Sequence, residues 1–406
     1  MNKNIKLAVA GAVLALSASA NAGIIIPAGE WTMDINGNVN AFANVTKGKG
    51  TDTSAAAVGG LATASQTHED QAQGINTGLL PAWLGFTGTT RQNDLDVSFT
   101  ISMQPNVSDN FSHGDAKTPL NRQAFLTFGD KSWGSVKLGK DIGIFASDAI
   151  LNDMTLLGVG AGAATSGAAT TLGGIGTGYI YAAWKGQIAY TTPNFNGFQA
   201  TVGITNPNQG VGSVTSGSYS GTATPVVTNL NQDRFGLEGK ASYSFSGDVA
   251  SGKVWVSGAS YDVTYATTGA SYTATVADLG LAVNAGNLGL TGYYYSGEGV
   301  GTTVMGNLAT DATGNKRDSD GGYIQATYIL PTKTKLGLAY GTSNLDRATT
   351  TDTTVINKNE RITLGLYHPL TKHLNLVAEY NDISSSNHSN QERTAKTGSL
   401  GAILFF

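Results

Sequence analysis

The sequence contains no cysteine in 406 residues, which excludes a disulfide framework and all thiol chemistry. Charge is scarce as well. Asp, Glu, Lys and Arg make up 13% of the chain, about half of what soluble domains carry. Gly, Thr, Ser and Asn fill the deficit, so the chain is polar without being charged. Beyond the first residues, no stretch is apolar enough for a membrane helix of about 20 residues. The mild acidity, a formal charge of −4, argues against a nucleic-acid partner. There is no H-E-x-x-H and no G-x-S-x-G. The five histidines, His68, His113, His368, His373 and His388, fall in expected loops or beside a turn. No nucleophile–base pair is therefore set up, and an enzyme is not expected. The run from Asp311 to Gly322 has the spaced acids and glycines of a calcium loop but lacks the closing Glu. The Gly-rich stretch from Gly158 to Gly178 lacks the strand–Gly–helix–Lys context of a phosphate cradle. No metal or other cofactor is expected.

What is present begins with a leader. Lys3 and Lys6 form a basic start, Leu7 to Leu16 a short apolar core, and Ala20-Asn21-Ala22 a small-x-small cleavage site. The expectation is a signal peptide over 1–22 and one mature domain over 23–406, whose formal charge is −6 once the two lysines are removed.

The mature sequence alternates with period two. Leu95, Val97, Phe99, Ile101 and Met103 oppose Asp96, Ser98, Thr100 and Ser102. Ile324, Ala326, Tyr328 and Leu330 oppose Tyr323, Gln325 and Thr327. Ile362, Leu364 and Leu366 oppose Arg361 and Thr363. One face is apolar and the other polar, at spacings too short for helices. About sixteen strands are expected: 30–45, 80–90, 94–104, 120–129, 133–142, 179–191, 197–206, 232–246, 252–265, 272–285, 287–296, 320–331, 333–342, 356–369, 372–383 and 394–406. Alternation is weakest between Lys253 and Ala285. Short and long connections alternate, with long ones over 46–79, 105–119, 143–178, 207–231, 297–319, 343–355 and 384–393. That rhythm fits an all-β, up-and-down antiparallel barrel that spans a membrane, with brief turns on one side and long loops on the other. Aromatic residues near strand ends, namely Trp31, Trp83, Trp133, Tyr179, Tyr190, Tyr293, Tyr367 and Tyr380, suit interfacial girdles. A secreted β-sandwich adhesin without a pore is the alternative from another class.

The last strand, SLGAILFF, carries Leu400, Ala402, Leu404 and Phe406 on one face. It resembles the carboxy-terminal strand of Gram-negative outer-membrane barrels, whose terminal Phe is read by the barrel assembly machinery. A second likeness is sharper. Asn121-Arg122-Gln123-Ala124-Phe125 followed by Trp133-Gly134-Ser135-Val136-Lys137-Leu138-Gly139-Lys140 resembles the paired strands before the constriction loop of general bacterial porins. Asp148-Ala149 with Asn152-Asp153-Met154 looks like the acidic start of that loop. Tyr190-Thr191-Thr192-Pro193-Asn194-Phe195-Asn196-Gly197-Phe198 is similar to the family's strand–turn–strand.

The resemblance implies a homotrimer of sixteen-stranded barrels in the cell outer membrane, in contact with outer-membrane lipid and lipopolysaccharide. Each barrel would pass small hydrophilic solutes and ions and be narrowed by an inward loop over about 143–178. The residues expected to line the constriction are Arg122, Lys140, Lys185, Arg234 and Lys240 on the wall, with Asp148 and Asp153 on the loop. Phe406 would be the assembly signal. The chain departs from the family in three places. Asn38 and Trp83 stand where enterobacterial porins often carry a cation. The loop lacks a Pro-Glu-Phe acid. Inner residues Ile403 and Phe405 are less polar than usual. A weak transverse field and, from the net acidity, weak cation preference are expected. A substrate-selective pore would instead use Phe145, Tyr179 and Tyr181 as a stacking track for sugars.

Overall fold

The computed structural model describes residues 23–50, 58–62, 71–105, 120–163, 170–206, 230–231, 234–265, 271–311 and 314–406. The leader over 1–22 lies outside them, as do His68 and His113. The strands in chain order are β1 (Ile24–Ala28), β2 (Trp31–Gly50), β3 (Gln71–Asn76), β4 (Trp83–Gln92), β5 (Leu95–Gln104), β6 (Leu120–Asp130), β7 (Gly134–Ile142), β8 (Trp184–Thr191), β9 (Phe198–Thr205) and β10 (Leu230–Asn231). They continue as β11 (Gly236–Ser246), β12 (Ser251–Tyr265), β13 (Ser271–Ala285), β14 (Leu288–Glu298), β15 (Asp318–Ile329), β16 (Lys335–Leu345), β17 (Ile356–Pro369), β18 (Leu374–Asn387) and β19 (Glu392–Phe405).

All of them belong to one antiparallel sheet. β3 and β4 both pair with β2 and act as one interrupted stave. β10 and β11 do the same against β12. β19 pairs with β2 from Phe405↔Asn38 to Arg393↔Gly50, which closes the ring. The product is a closed barrel of sixteen staves. Closure removes the free edges and satisfies every ladder amide within the wall, the condition for a β-structure in lipid. A sandwich needs two sheets, so the adhesin alternative fails. β1 is an additional arm that folds back on β2 from Ala28↔Trp31 to Ile24↔Ile35. The expected sixteen segments all fall on staves, including the weakly alternating ones from Lys253 to Ala285.

Burial shows what surrounds the barrel. On β17, Arg361 and Thr363 are buried while Ile362 and Leu364 are 48% and 53% exposed. On β2, Asn38, Asn40, Asn44 and Thr46 are buried while Val39 and Val45 are exposed. A soluble protein has the opposite arrangement. The pattern is that of an apolar exterior against hydrocarbon around a polar interior. We expect Leu364→Arg to destabilise the folded barrel by about 2–4 kcal/mol in a bilayer. An unchanged unfolding free energy would remove the outer face from lipid.

The wall is uneven. β5 to β9 have 8–11 residues, just enough to cross. β12, β13, β17, β18 and β19 have 14–15. The inward loop leaves the wall on the short side, between β7 and β8.

Several expectations are corrected. β8 begins at Trp184 rather than 179, because Ala183 takes a left-handed φ of 58° that turns the chain from loop into strand. Trp83, Tyr179, Tyr293 and Tyr367 are not girdle residues, since all four are buried inside the barrel. Trp133, Tyr190 and Tyr380 are exposed outside. The connections over 46–79 and 297–319 are not wholly outer loops. Leu61, Ala62, Val300, Thr302, Thr303 and Met305 from them are buried.

Candidate pore constriction

The loop between β7 and β8 runs inside the barrel and carries a short helix, α1 (Ser147–Asn152), then a 3-10 turn (Met154–Leu157). It is held by the wall in sequence order. Glu238 on β11 accepts from the Ile144 and Phe145 amides at 2.6 and 2.9 Å. Lys185 on β8 pairs with the same carboxylate at 2.5 Å and with the Tyr261 hydroxyl at 2.9 Å. Tyr323 donates to the Ala149 carbonyl at 2.8 Å. Gln325 accepts from the Met154 amide at 2.9 Å and donates to the Asn152 carbonyl at 2.7 Å. Glu379 on β18 accepts from the Val159 and Gly160 amides at 2.9 and 2.8 Å, while Tyr367 donates to it at 2.7 Å. Ser343 accepts from the Gly178 amide at 3.0 Å.

The division of labour accounts for the loop's composition. The wall supplies carboxylates, and the loop supplies backbone amides. Where the loop backbone presses closest on Glu379, at Gly158, there is no room for a side chain. A Cβ at Gly158 would lie 1.9 Å from the Glu379 carboxylate. The Gly-rich stretch is thus an anion cradle, but the anion is the protein's own Glu379.

The two loop acids are both compensated. Asp148 is clamped by Lys240 on β11 at 3.1 Å and by Lys253 on β12. Burial pushes its carboxyl up, but the two ammonium groups outweigh that and hold it below the usual carboxylate value. Asp153 caps the 3-10 turn through the Thr155 amide at 2.9 Å and accepts from the Gly174 amide at 2.8 Å and the Tyr179 hydroxyl at 2.9 Å. The Arg361 guanidinium lies 3.9 Å from it. Burial, then the adjacent Asp153, keeps the Tyr179 phenol well above its ordinary value, so it stays a donor.

Arg122 is the extra residue of a bulge in β6, between Ser102↔Gln123 and Met103↔Asn121. Its guanidinium lies between the Trp83 and Trp184 rings, 4.6 and 4.2 Å from their centroids. It donates to Gln123 at 3.2 Å, a neutral partner.

The structure brings together Asp148 and Lys240 as expected. It places Lys185, Asp153, Lys140 and Arg234 differently. Lys185 lies under the loop, 2% exposed, and anchors it rather than lining water. Asp153 is likewise buried in the loop's own knot. Lys140 shares the face of Leu126 and Ile188, which are 45% and 49% exposed, and so lies on the outer wall. The signal was in the parity of Val136, Leu138 and Lys140. Arg234 is an exposed residue paired with Asp262 at 3.2 Å, beside the outer end of β11. Of the stacking track, Phe145 and Tyr179 are fully buried. Phe406 exchanges both backbone hydrogen bonds with Gly37, at 2.8 and 3.0 Å. Lys253 and Glu379 escaped the sequence reading, and Glu238, legible from its strand as a lumen-facing charge, proves to be an anchor of the loop. Lys253 was legible, because it alternates with the outward Val254 and Val256. The run expected as a poor calcium loop shows no cluster of three or more metal-ligating side chains among the described residues.

A closed barrel with a lipid-facing exterior, a polar bore and a loop folded across it is an outer-membrane channel for passive diffusion. A family model described as Gram-negative porin matches residues 7–388, and the chain belongs to that family. Solved structures agree in fold. The outer membrane channel DcaP of Acinetobacter baumannii superposes with a TM-score of 0.65 at 16% identity, covering 95% of this chain and 100% of its own. The anion-selective porin from Comamonas acidovorans gives 0.61 at 16%, covering 93% and 100%. The in-vitro-folded trimer form of OmpT from Vibrio cholerae gives 0.53 at 14%, covering 93% and 99%. Among curated protein sequences, none matches.

Proposed function

We propose that this porin is a weakly anion-favouring diffusion pore for small hydrophilic solutes. One observation supports this reading. Around the constriction the carboxylates Asp141, Asp148, Asp153, Glu238, Asp278 and Glu379 are all at most 5% exposed. Lys185 and Arg361 are buried with them, but the remaining cations beside them are not. The Lys137, Lys240 and Lys253 side chains are 27%, 16% and 29% exposed, and Arg122 is half-buried. A permeating ion therefore meets ammonium and guanidinium groups, while the acids are spent on backbone amides and wall partners. This reverses the sign that net acidity suggested, because the net charge counts groups no ion can reach. The neighbour from Comamonas is itself described as anion-selective.

The reversal potential in a salt gradient across a planar bilayer tests it. Chloride should be favoured over potassium by about two- to fivefold. Arg122→Gln should move the ratio toward unity, while Arg122→Lys should keep most of it. A cation-selective reversal potential for the native protein would end the reading. Homotrimeric assembly belongs to the same proposal, since OmpT is described in a trimer form. So do a leader over 1–22, lipid and lipopolysaccharide around the outer face, and Phe406 as the signal to the assembly machinery.

A further inference from the structure

A second segment enters the bore. Between β14 and β15, residues Gly299 to Asp311 fold back on themselves rather than standing clear of the mouth. The Thr302 amide donates to the Asn307 carbonyl at 2.9 Å, and the Gly306 amide to the Val300 carbonyl at 2.8 Å. Val300, Thr302, Thr303 and Ala309 are at most 3% exposed. The segment docks on the constriction loop by main chain: the Tyr181 amide donates to the Thr303 carbonyl at 2.9 Å, and Tyr181 bridges Val304. Gly176 of the loop marks the junction. Its φ is 73°, and a Cβ there would come 2.5 Å from the Thr303 hydroxyl and 2.7 Å from Leu61. Leu61 belongs to a third inward piece, whose amide donates to Asn359 at 3.0 Å and Ser385 at 2.9 Å on the wall. Three segments therefore meet at one glycine.

A wall strap holds the second segment in place. Arg317, 5% exposed, donates to the Leu308 carbonyl at 2.9 Å and to the Thr310 carbonyl, and it pairs with Asp352 at 2.6 Å. Leu308 packs with Val58, Leu345, Val355 and Ile356 in a small apolar cluster of its own.

We propose that Gly301–Ala309 is a second aperture-setting element, which shares with the constriction loop the control of solute size. It differs from the loop in one decisive respect: residues 301–309, GTTVMGNLA, carry no charge. It therefore narrows the bore without contributing to ion preference. The inference rests on the channel reading, but its readout is size rather than the sign of the reversal potential.

Replacing Gly301–Ala309 by a three-residue Gly-Ser-Gly link tests it in the full-length protein. Single-channel conductance should rise by about half or more, and larger neutral polymers should enter, with the reversal potential unchanged. Heat-modifiable migration reports whether the barrel has folded. Arg317→Gln is the second variant, because it removes the strap and leaves the chain length intact. It should give a flickering current with excursions above the native level. Native conductance and native polymer cut-off in a folded deletion variant would overturn the proposal. So would a steady, native-sized current in Arg317→Gln if the deletion variant does not fold.

Discussion

Glu238→Gln is expected to destabilise this barrel by about 3–5 kcal/mol and to loosen its constriction loop. The carboxylate serves four partners at once: the Lys185 ammonium, the Tyr261 hydroxyl, and the two amides that begin the loop. An amide in its place keeps the shape and loses the charge. Lys185, with 3% of its side chain exposed, would then be an uncompensated cation in a dry site. Heat-modifiability on gels should show melting at lower temperature, and single-channel traces should become noisy. The double variant Glu238→Gln/Lys185→Met should recover most of the thermal loss, since no buried charge is left over. If Glu238→Gln melts like the native protein, the carboxylate is not what anchors the loop.

Asp148→Asn should give the largest change in ion selectivity. It strips one negative charge from between Lys240 and Lys253 and leaves both ammonium groups facing the bore. The permeability ratio should move toward anions by about three- to tenfold at low salt and less at high salt, as screening shortens the field. Asp153→Asn makes the opposite kind of change. Its carboxylate is buried in contacts to Gly174, Thr155 and Tyr179, so the loop should loosen while the reversal potential stays near native. Acid offers an independent check on Asp148. Its folded value lies below the ordinary carboxylate value of about 4. The clamp is therefore fully present above that ordinary value and is lost as pH falls through the lower folded one. Selectivity should drift toward anions only in that acidic window, and Asp148→Asn should show no such drift. A native channel whose selectivity changes between pH 5 and pH 7 would contradict this assignment.

Much of this was open to reading from the chain. β17 fell on the expected residues because Ile362, Leu364 and Leu366 alternate with Arg361 and Thr363, and lipid on one side of a strand makes that alternation strict. The constriction loop was located by its acids and by the strands that flank it. Lys140 went to the wrong face because its likeness to a family position was weighed above the parity of its own strand. The aromatic residues misled for a related reason. Tyr293 and Tyr323 stack inside the bore at 5.7 Å between centroids, where their hydroxyls find Asp278 and the Ala149 carbonyl. Nearness to a strand end does not say which face a ring takes.

The sequence by itself determined the number of staves, their direction and the identity of most lipid-facing side chains, because a period of two is a local property and hydrocarbon tolerates few exceptions to it. Only the tertiary structure decided which charges meet. Asp148 lies 92 residues from Lys240, and Glu379 lies 220 residues from the Val159 amide it holds. Those pairings depend on where an inward loop of no regular period crosses the barrel, and such a path is set by closure of the wall around it.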